Sequence, residues 1–471
     1  MLFNSPLFVL VAVLTIVCWY VLPNTFKKPL LLVFSYYFAY LLGGVWTVTT
    51  LLAVTVFTYV LSMLLASSTH KKLFFIMSII LLVSIIIYNK YFNYIVSVLA
   101  KYTCINADEI SVLSMVGVSY YVFSAISYLT DIYNSNDEVD RNFLDVALWL
   151  AFFTKFIAGP IERHKEIKHE LEKVKNISIN FERIKRGMLI CALGYFYKIV
   201  IADRAGMFVD GIWSELSSYS GITLVIAVIL YSIQIYFDFA AYSLIAYGLS
   251  YAMEVRIVRN FNHPYFADSV SDFWRRWHIS LSYWLRDYVY IPLGGNRKGK
   301  TRQYLNLIIT FLISGLWHGS GFKYLIWGAL HGFFQIIEKL FPFRKEMSKR
   351  CNVLMTFGLV SFAWIFFRAP SLRSALVFIK KIFEWNPWVL TDGTLVNQGV
   401  DLKEWIVLIV SLVLAFMIAL LQEHGISIYE KMQNECIVVR WIAYYAIIIF
   451  LLVFGIYGSI FDASNFIYFQ Y

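Results

Sequence analysis

Two histidines, His318 and His331, lie in the apolar stretch "SGLWHGSGFKYLIWGALHG" at 314–332, and a third, His278, lies in "FWRRWHISLSYWLRDY" at 273–288. An imidazole titrates near pH 6.5 when unperturbed, so it can take a proton from a hydroxyl near neutral pH. Trp317 and Gly319 flank His318, with Gly315, Ser320 and Gly321 close by. Glycines at this density interrupt a helix and let backbone or ligand approach closely. Non-helical backbone at membrane depth is tolerated only beside protein or a water-filled cavity, so His318 is expected to line a cavity. His331, followed by Gly332 among aromatics, equally suits a hydrogen-bonded structural role.

The chemistry open to such residues is narrowed by what is missing. There is no GxxxxGK[ST] loop, HExxH pair, GxSxG elbow or dinucleotide fingerprint after a strand, which leaves nucleotide hydrolysis, zinc proteolysis and triad hydrolysis without support. Five dispersed cysteines without CxxC spacing point to free, buried thiols rather than a metal site or disulfide frame. Acyl transfer fits. A histidine takes the proton of an acceptor hydroxyl, the oxygen attacks a thioester carbonyl, and donors such as backbone N–H, Trp or Asn hold the oxyanion.

The elements that position these groups must be built for lipid. Of 471 residues, 60% are hydrophobic and 15% charged, against about a quarter charged in soluble proteins. Apolar runs of spanning length predict an all-α, polytopic membrane protein with roughly eleven to thirteen membrane helices or re-entrant segments. Separate segments are expected at 30–46, 47–66, 142–158 and 187–201, among others. No Lys or Arg precedes Lys27, so the first helix is expected to stay in the protein rather than act as a cleaved signal. Basic clusters at Lys27–Lys28 and His70–Lys72 predict a cytoplasmic side there and an extracytoplasmic N-terminus. The net charge of +10 is accounted for by loops facing anionic membrane lipids and calls for no nucleic acid.

One domain over 1–471 is expected: scaffold helices over 1–135, a motif-bearing core near 155–335 and closing helices over 350–471. The basic, Glu-rich stretch 161–186 reads as a cytoplasmic surface helix, either a solvated face or a rim attracting a polyanionic cofactor such as coenzyme A. The densest polar stretch, 259–300, would cost about 2.5–3.5 kcal/mol per charge as a plain spanning helix. An interfacial or re-entrant helix through 273–288 fits better, with Ser269 and Asp272 as N-cap candidates and "PLGGNRKGK" as its end. Such a helix would place Trp274 and His278 on one face. The same composition also suits a plain amphipathic anchor.

Taken together, "FDFAAYSLIAYGLSYAMEVRIVRNFNHPYFADSVSDFWRRWHISLSYWLRDYVYIPLGGNRKG", "SGLWHGSGFKYLIWGALHG" and "AGPIERHKE" at 158–166 resemble the membrane-bound O-acyltransferase family, in its bacterial alginate O-acetylation branch. The resemblance implies a many-helix fold around a central tunnel open to donor and acceptor from opposite sides. It places the family's essential histidine on His318 and a second on His278, with His331 in the WGxxHG pattern. No cofactor is expected to be held permanently; acetyl-CoA is the expected donor. The implied reaction is O-acetylation of an envelope polysaccharide, directly or through an extracytoplasmic SGNH-type partner beside the polysaccharide synthesis machinery.

On this reading His318 is the general base, His278 polarises the thioester or relays a proton, and Trp317 and Trp274 shape the wall. Asp238 and Asn262 are lesser candidates for orienting a histidine, a helix–helix hydrogen bond and a turn before Pro264 being their alternatives. Arg275, Arg276 and Arg297 are candidates for the donor phosphates. The alternatives are a lipid or protein O-acyltransferase or a D-alanyl transfer protein of the same superfamily. More remote is a proton-relaying transporter, which would show paired interrupted helices in two halves.

Overall fold

A computed structural model describes residues 5–103, 115–156, 159–173, 178–396 and 398–457; Cys104 and Ala158 lie outside them. Among the described residues the ordered elements are helices, and no strand occurs. The chain divides into two compact units, residues 1–189 with 246–259 and residues 190–245 with 260–471.

The first unit opens with α1 (Pro6–Val21), whose Ser5 cap accepts from the Phe8 N–H ahead of Pro6, the usual way to satisfy an orphan amide at a helix start. The two segments expected at 30–46 and 47–66 are two helices in succession, together α2 (Asn24–Ser67), separated by a kink at Gly43 and Gly44, where Gly44 takes φ +69°. Side chains rarely adopt that conformation, so the glycine pair sets the kink. Next come α3 (Lys71–Ala100) and α4 (Val118–Tyr133); α4 is buried on all sides from Val118 to Leu129, as expected of a helix without a polar face.

The single span expected at 142–158 does not form. α5 (Phe143–Ala151) stops at Phe152, a 3-10 turn covers Phe153–Lys155, and the stretch from Val146 through Lys155 is buried. The expected surface helix is also divided, into α6 (His164–Lys173) and the start of α7 (Phe181–Tyr195). The few apolar residues of α6 have a definite job: Ile167 and Leu171 are buried and hold it against the unit.

At the head of α6, the buried His164 places Nδ1 3.0 Å from Asp137 and Nε2 3.3 Å from Asp140, which also pairs with Lys168. Both ring nitrogens can donate to carboxylates only when the ring is protonated. Burial opposes that charge, but Asp137 and Asp140 outweigh it and raise the titration of His164 above its ordinary value. Burial likewise pushes the Asp140 carboxyl up, and hydrogen bonds from His164, the Asn142 N–H and Lys168 more than reverse this.

The second unit holds α8 (Asp203–Ser214), most of α9 (Gly221–Ala252), α10 (Val270–Arg276), α11 (Ile279–Leu285), α12 (Lys300–His318), α13 (Phe322–Leu340), α14 (Lys349–Arg368), α15 (Leu372–Ile382), α16 (Leu402–Glu423), α17 (Ile428–Gln433) and α18 (Ile437–Phe454). Six described helices, α2, α3, α9, α14, α16 and α18, are long and apolar enough to cross a membrane.

Near 187–201, α7 runs into a π-helical segment, Phe196–Ala202. The wider winding brings residues five apart onto one side, and Lys198 pairs with Asp203 at 2.8 Å and with Asp238 of α9 at 2.7 Å. All three side chains are buried. Asp238 therefore answers a lysine that apolar patterning gave no reason to single out. The described cysteines are free as expected, but only Cys191 is buried; Cys18, Cys351 and Cys436 lie at the surface.

Two outcomes are expected. The stabilisation from His164 is complete below about pH 6.5 and is lost as pH rises through its raised value, while that from Asp140 is present above about pH 3.9 and is lost as pH falls through its lowered one. In detergent melting curves, His164→Gln should therefore be most destabilising near pH 6 and less so at alkaline pH; a deficit growing with pH would contradict the brace. Lys198→Met takes the shared cationic partner from two buried carboxylates and should cost about 3–5 kcal/mol, and an unchanged melting temperature would exclude that account.

Candidate active site

The segment expected as one helix through 273–288 is two. Ser269 caps α10 by accepting from the Asp272 N–H, so Ser269 is the cap and Asp272 sits in the first turn. α10 stops at Trp277, which is extended, and His278 takes φ +42° before α11 begins. A non-glycine residue in this left-handed region is strained and needs support from its surroundings. That support is a neighbouring extended segment. Ile279 N–H donates to the Asn260 carbonyl at 3.0 Å, Ser280 N–H to Asn260 Oδ1 at 3.3 Å, and Asn262 N–H to the Arg276 carbonyl at 2.9 Å.

Asn260, buried to 2% exposure, thus supplies what an N-cap would. It was not among the expected residues. Asn262 is exposed and takes part through its backbone. The break also separates Trp274 from His278, so the two do not share a helix face.

The second wall comes from α12 and α13. A Cβ on Gly315 would lie 2.3 Å from the Tyr324 carbonyl oxygen, and one on Gly328 would lie 2.2 Å from that of Phe311. Only hydrogen fits at either place, so the two backbones touch, the small-residue packing that suits helices without a hydrophobic drive between them. His318 is the last residue of α12, ahead of an extended Gly319, and its side chain is buried.

Around these elements the three histidines alternate with indoles. His278 packs edge-on against Phe239 at 4.8 Å between ring centroids and against Trp317 at 5.9 Å. His318 meets Trp317 and Trp327 at 4.8 Å each and Phe367 at 5.2 Å. His331 meets Trp327 at 5.0 Å and Trp274 at 5.1 Å, and the Trp274 Nε1–H donates to His331 Nδ1 at 3.2 Å. The structure therefore gathers His278, His318, His331, Trp274 and Trp317 into one buried cluster, and adds Trp327, which was not among the expected residues. Such an environment keeps water from a reacting centre and strengthens each hydrogen bond within it.

Other expected residues lie apart from this cluster in their contacts. Asp238 is paired with Lys198. Arg276 bridges Asp272 at 2.8 Å and Glu423 of α16 at 3.0 Å, a brace between elements. Arg275 and Arg297 are exposed, Arg275 pairing with Asp272 at 3.2 Å. Among the described residues no group of three His, Cys, Asp or Glu side chains could hold a metal ion.

The model for MBOAT, the membrane-bound O-acyltransferase family, matches residues 118–379, a span that contains every member of the cluster. The chain is 33% identical over 423 residues to the peptidoglycan O-acetyltransferase of Helicobacter pylori, with 82% of this chain and 80% of that protein covered. It is also 33% identical over 411 residues to the probable alginate O-acetylase AlgI of Pseudomonas aeruginosa, with 84% and 77% covered. A teichoic acid D-alanyltransferase of Bacillus subtilis is 24% identical over 276 residues, with 55% and 69% covered. An all-helical chain with membrane-length helices, a buried histidine cluster and these likenesses belongs to the membrane-bound O-acyltransferase family and is an acyltransferase.

Proposed function

We propose that the chain takes an acetyl group from cytoplasmic acetyl-CoA and passes it towards hydroxyls of an envelope polysaccharide, peptidoglycan or an exopolysaccharide, directly or through an extracytoplasmic SGNH-type partner. The observation that carries this reading is the burial of His318 at the end of α12 within a wall of Trp317, Trp327 and Phe367. A base placed there can remove a hydroxyl proton where water does not compete.

In the reaction, the hydroxyl oxygen attacks the thioester carbon as His318 accepts its proton. A carbon–oxygen bond forms, the carbon–sulfur bond breaks, and the proton passes from His318 to the departing thiolate, giving ester and free thiol. His278, in contact with Trp317, polarises the carbonyl or relays the proton. The acetyl and polysaccharide assignments are supported by the O-acetylating relatives, whose likeness covers over four fifths of the chain; that to the D-alanyl relative covers 55%.

The orientation proposed is an extracytoplasmic N-terminus in the inner membrane. Of the three arginines, Arg275 and Arg297 are exposed and suit the donor phosphates better than Arg276, which already has two carboxylate partners.

With purified variants in detergent, His318→Ala should lose at least about 10²- to 10⁴-fold in turnover while still folding and binding acetyl-CoA, and His278→Ala should lose less. Near-normal turnover of His318→Ala removes it as the base. Neutralising Arg275 and Arg297 should weaken donor binding, and the difference from wild type should shrink as salt is raised; unchanged affinity would leave them as lipid anchors. Cysteines introduced at Lys71 and within 161–186 should react only from the cytoplasmic side, and labelling from outside would reverse the topology.

A further inference from the structure

We propose that Trp327 and His331 form the site that receives the carbonyl oxygen of the acyl group; this deepens the acetyl-transfer reading and rests on it. An indole N–H can only donate, so the 3.2 Å hydrogen bond from Trp274 Nε1 to His331 Nδ1 requires a lone pair on Nδ1. That excludes the imidazolium and fixes the neutral ring with its proton on Nε2. His331 cannot then act as a base through either nitrogen without giving up this bond. It is a donor, and Nε2 has no hydrogen-bond partner among the described residues.

Trp327 is in the same position. Its Nε1–H also has no partner among the described residues, and both side chains are fully buried. Buried donors left without acceptors are rare in native proteins and each needs an explanation. Two of them, on rings 5.0 Å apart, one of which is 4.8 Å from His318, are explained together by an acceptor that arrives with the substrate.

The attack on a thioester supplies one. As the hydroxyl oxygen bonds to carbon and its proton goes to His318, the carbonyl π electrons move onto the carbonyl oxygen. Donors fixed in place beforehand stabilise that charge at no cost of reorganisation. When the intermediate collapses, the electrons return, the sulfur leaves, and the proton from His318 goes to it. Trp274 is on this account a positioning residue, acting on the reaction only through the tautomer of His331.

The test uses the full-length protein in detergent, acetyl-CoA and a soluble oligosaccharide acceptor, with donor affinity and melting temperature measured in parallel. Trp327→Phe keeps the ring and removes the N–H; it should lose about 10²- to 10³-fold in kcat, with donor affinity and melting temperature close to wild type. His331→Leu should behave alike, whereas His331→Gln, which returns an N–H near the place of Nε2, should recover part of the loss. In ¹⁵N spectra of histidine-labelled protein, the resonances absent from His331→Gln should show Nδ1 unprotonated and Nε2 protonated, and Trp274→Phe should shift that balance. A wild type that transfers acetyl neither to the oligosaccharide nor to an added SGNH-type partner overturns the acetyl-transfer reading and this proposal with it. A working wild type with Trp327→Phe and His331→Leu within about threefold of it overturns the oxyanion site alone, as does a protonated Nδ1. Loss of activity only together with a collapsed melting temperature makes the pair core packing and refutes the proposal.

Discussion

Backbone amides buried away from water must find acceptors, and the arrangement of the histidine–tryptophan cluster follows from how one small set of them does so. The amides of Ile279 and Ser280 turn to Asn260 rather than to the preceding turn of helix. Because Asn260 satisfies them from outside, α10 can end at Trp277 and α11 can start again after His278, with the histidine held in a left-handed conformation between the two. The first helix then directs Trp274 to His331, and the junction directs His278 to Phe239 and Trp317. A continuous helix would have placed Trp274 and His278 on the same face.

A second constraint is the cost of charge inside the protein. It is met locally in each case. His164 is enclosed by two carboxylates, and Lys198 is placed by a π-helical turn so that it reaches Asp203 as well as Asp238. Arg344 pairs with Glu338 at 2.8 Å, and Glu338 accepts from the Val270 N–H at the start of α10. The helix that carries Trp274 is therefore held at its first turn by Glu338, backed by Arg344, and at its last turn by Arg276.

The parts legible in sequence were those with a local cause. Apolar runs gave the membrane class, and the glycines around His318 marked a close approach that Gly315 and Gly328 make in the structure. Ser269 was recognisable as a cap for the same reason. The break at His278 was not legible, because neither Gly nor Pro marks it and its cause lies eighteen residues earlier at Asn260. Lys198 was hidden in an apolar run, its partners made apparent only by a change of helical winding. The cysteines misled because an apolar run, as around Cys18, does not by itself mark protein interior, and because Cys351 and Cys436 follow polar residues at helix starts.

The contact between α12 and α13 also decides which wall can yield. Where two backbones meet through hydrogen atoms, no side chain is left to change rotamer and take up a displacement, and packed interiors transmit strain instead of absorbing it. The hairpin carrying His318, Trp327 and His331 consequently shifts as one piece. Any opening that admits a substrate to this cluster falls to elements other than this hairpin and α10, which Glu338 and the Trp274–His331 hydrogen bond tie to it. His318, Trp327 and His331 keep their spacing through any such displacement.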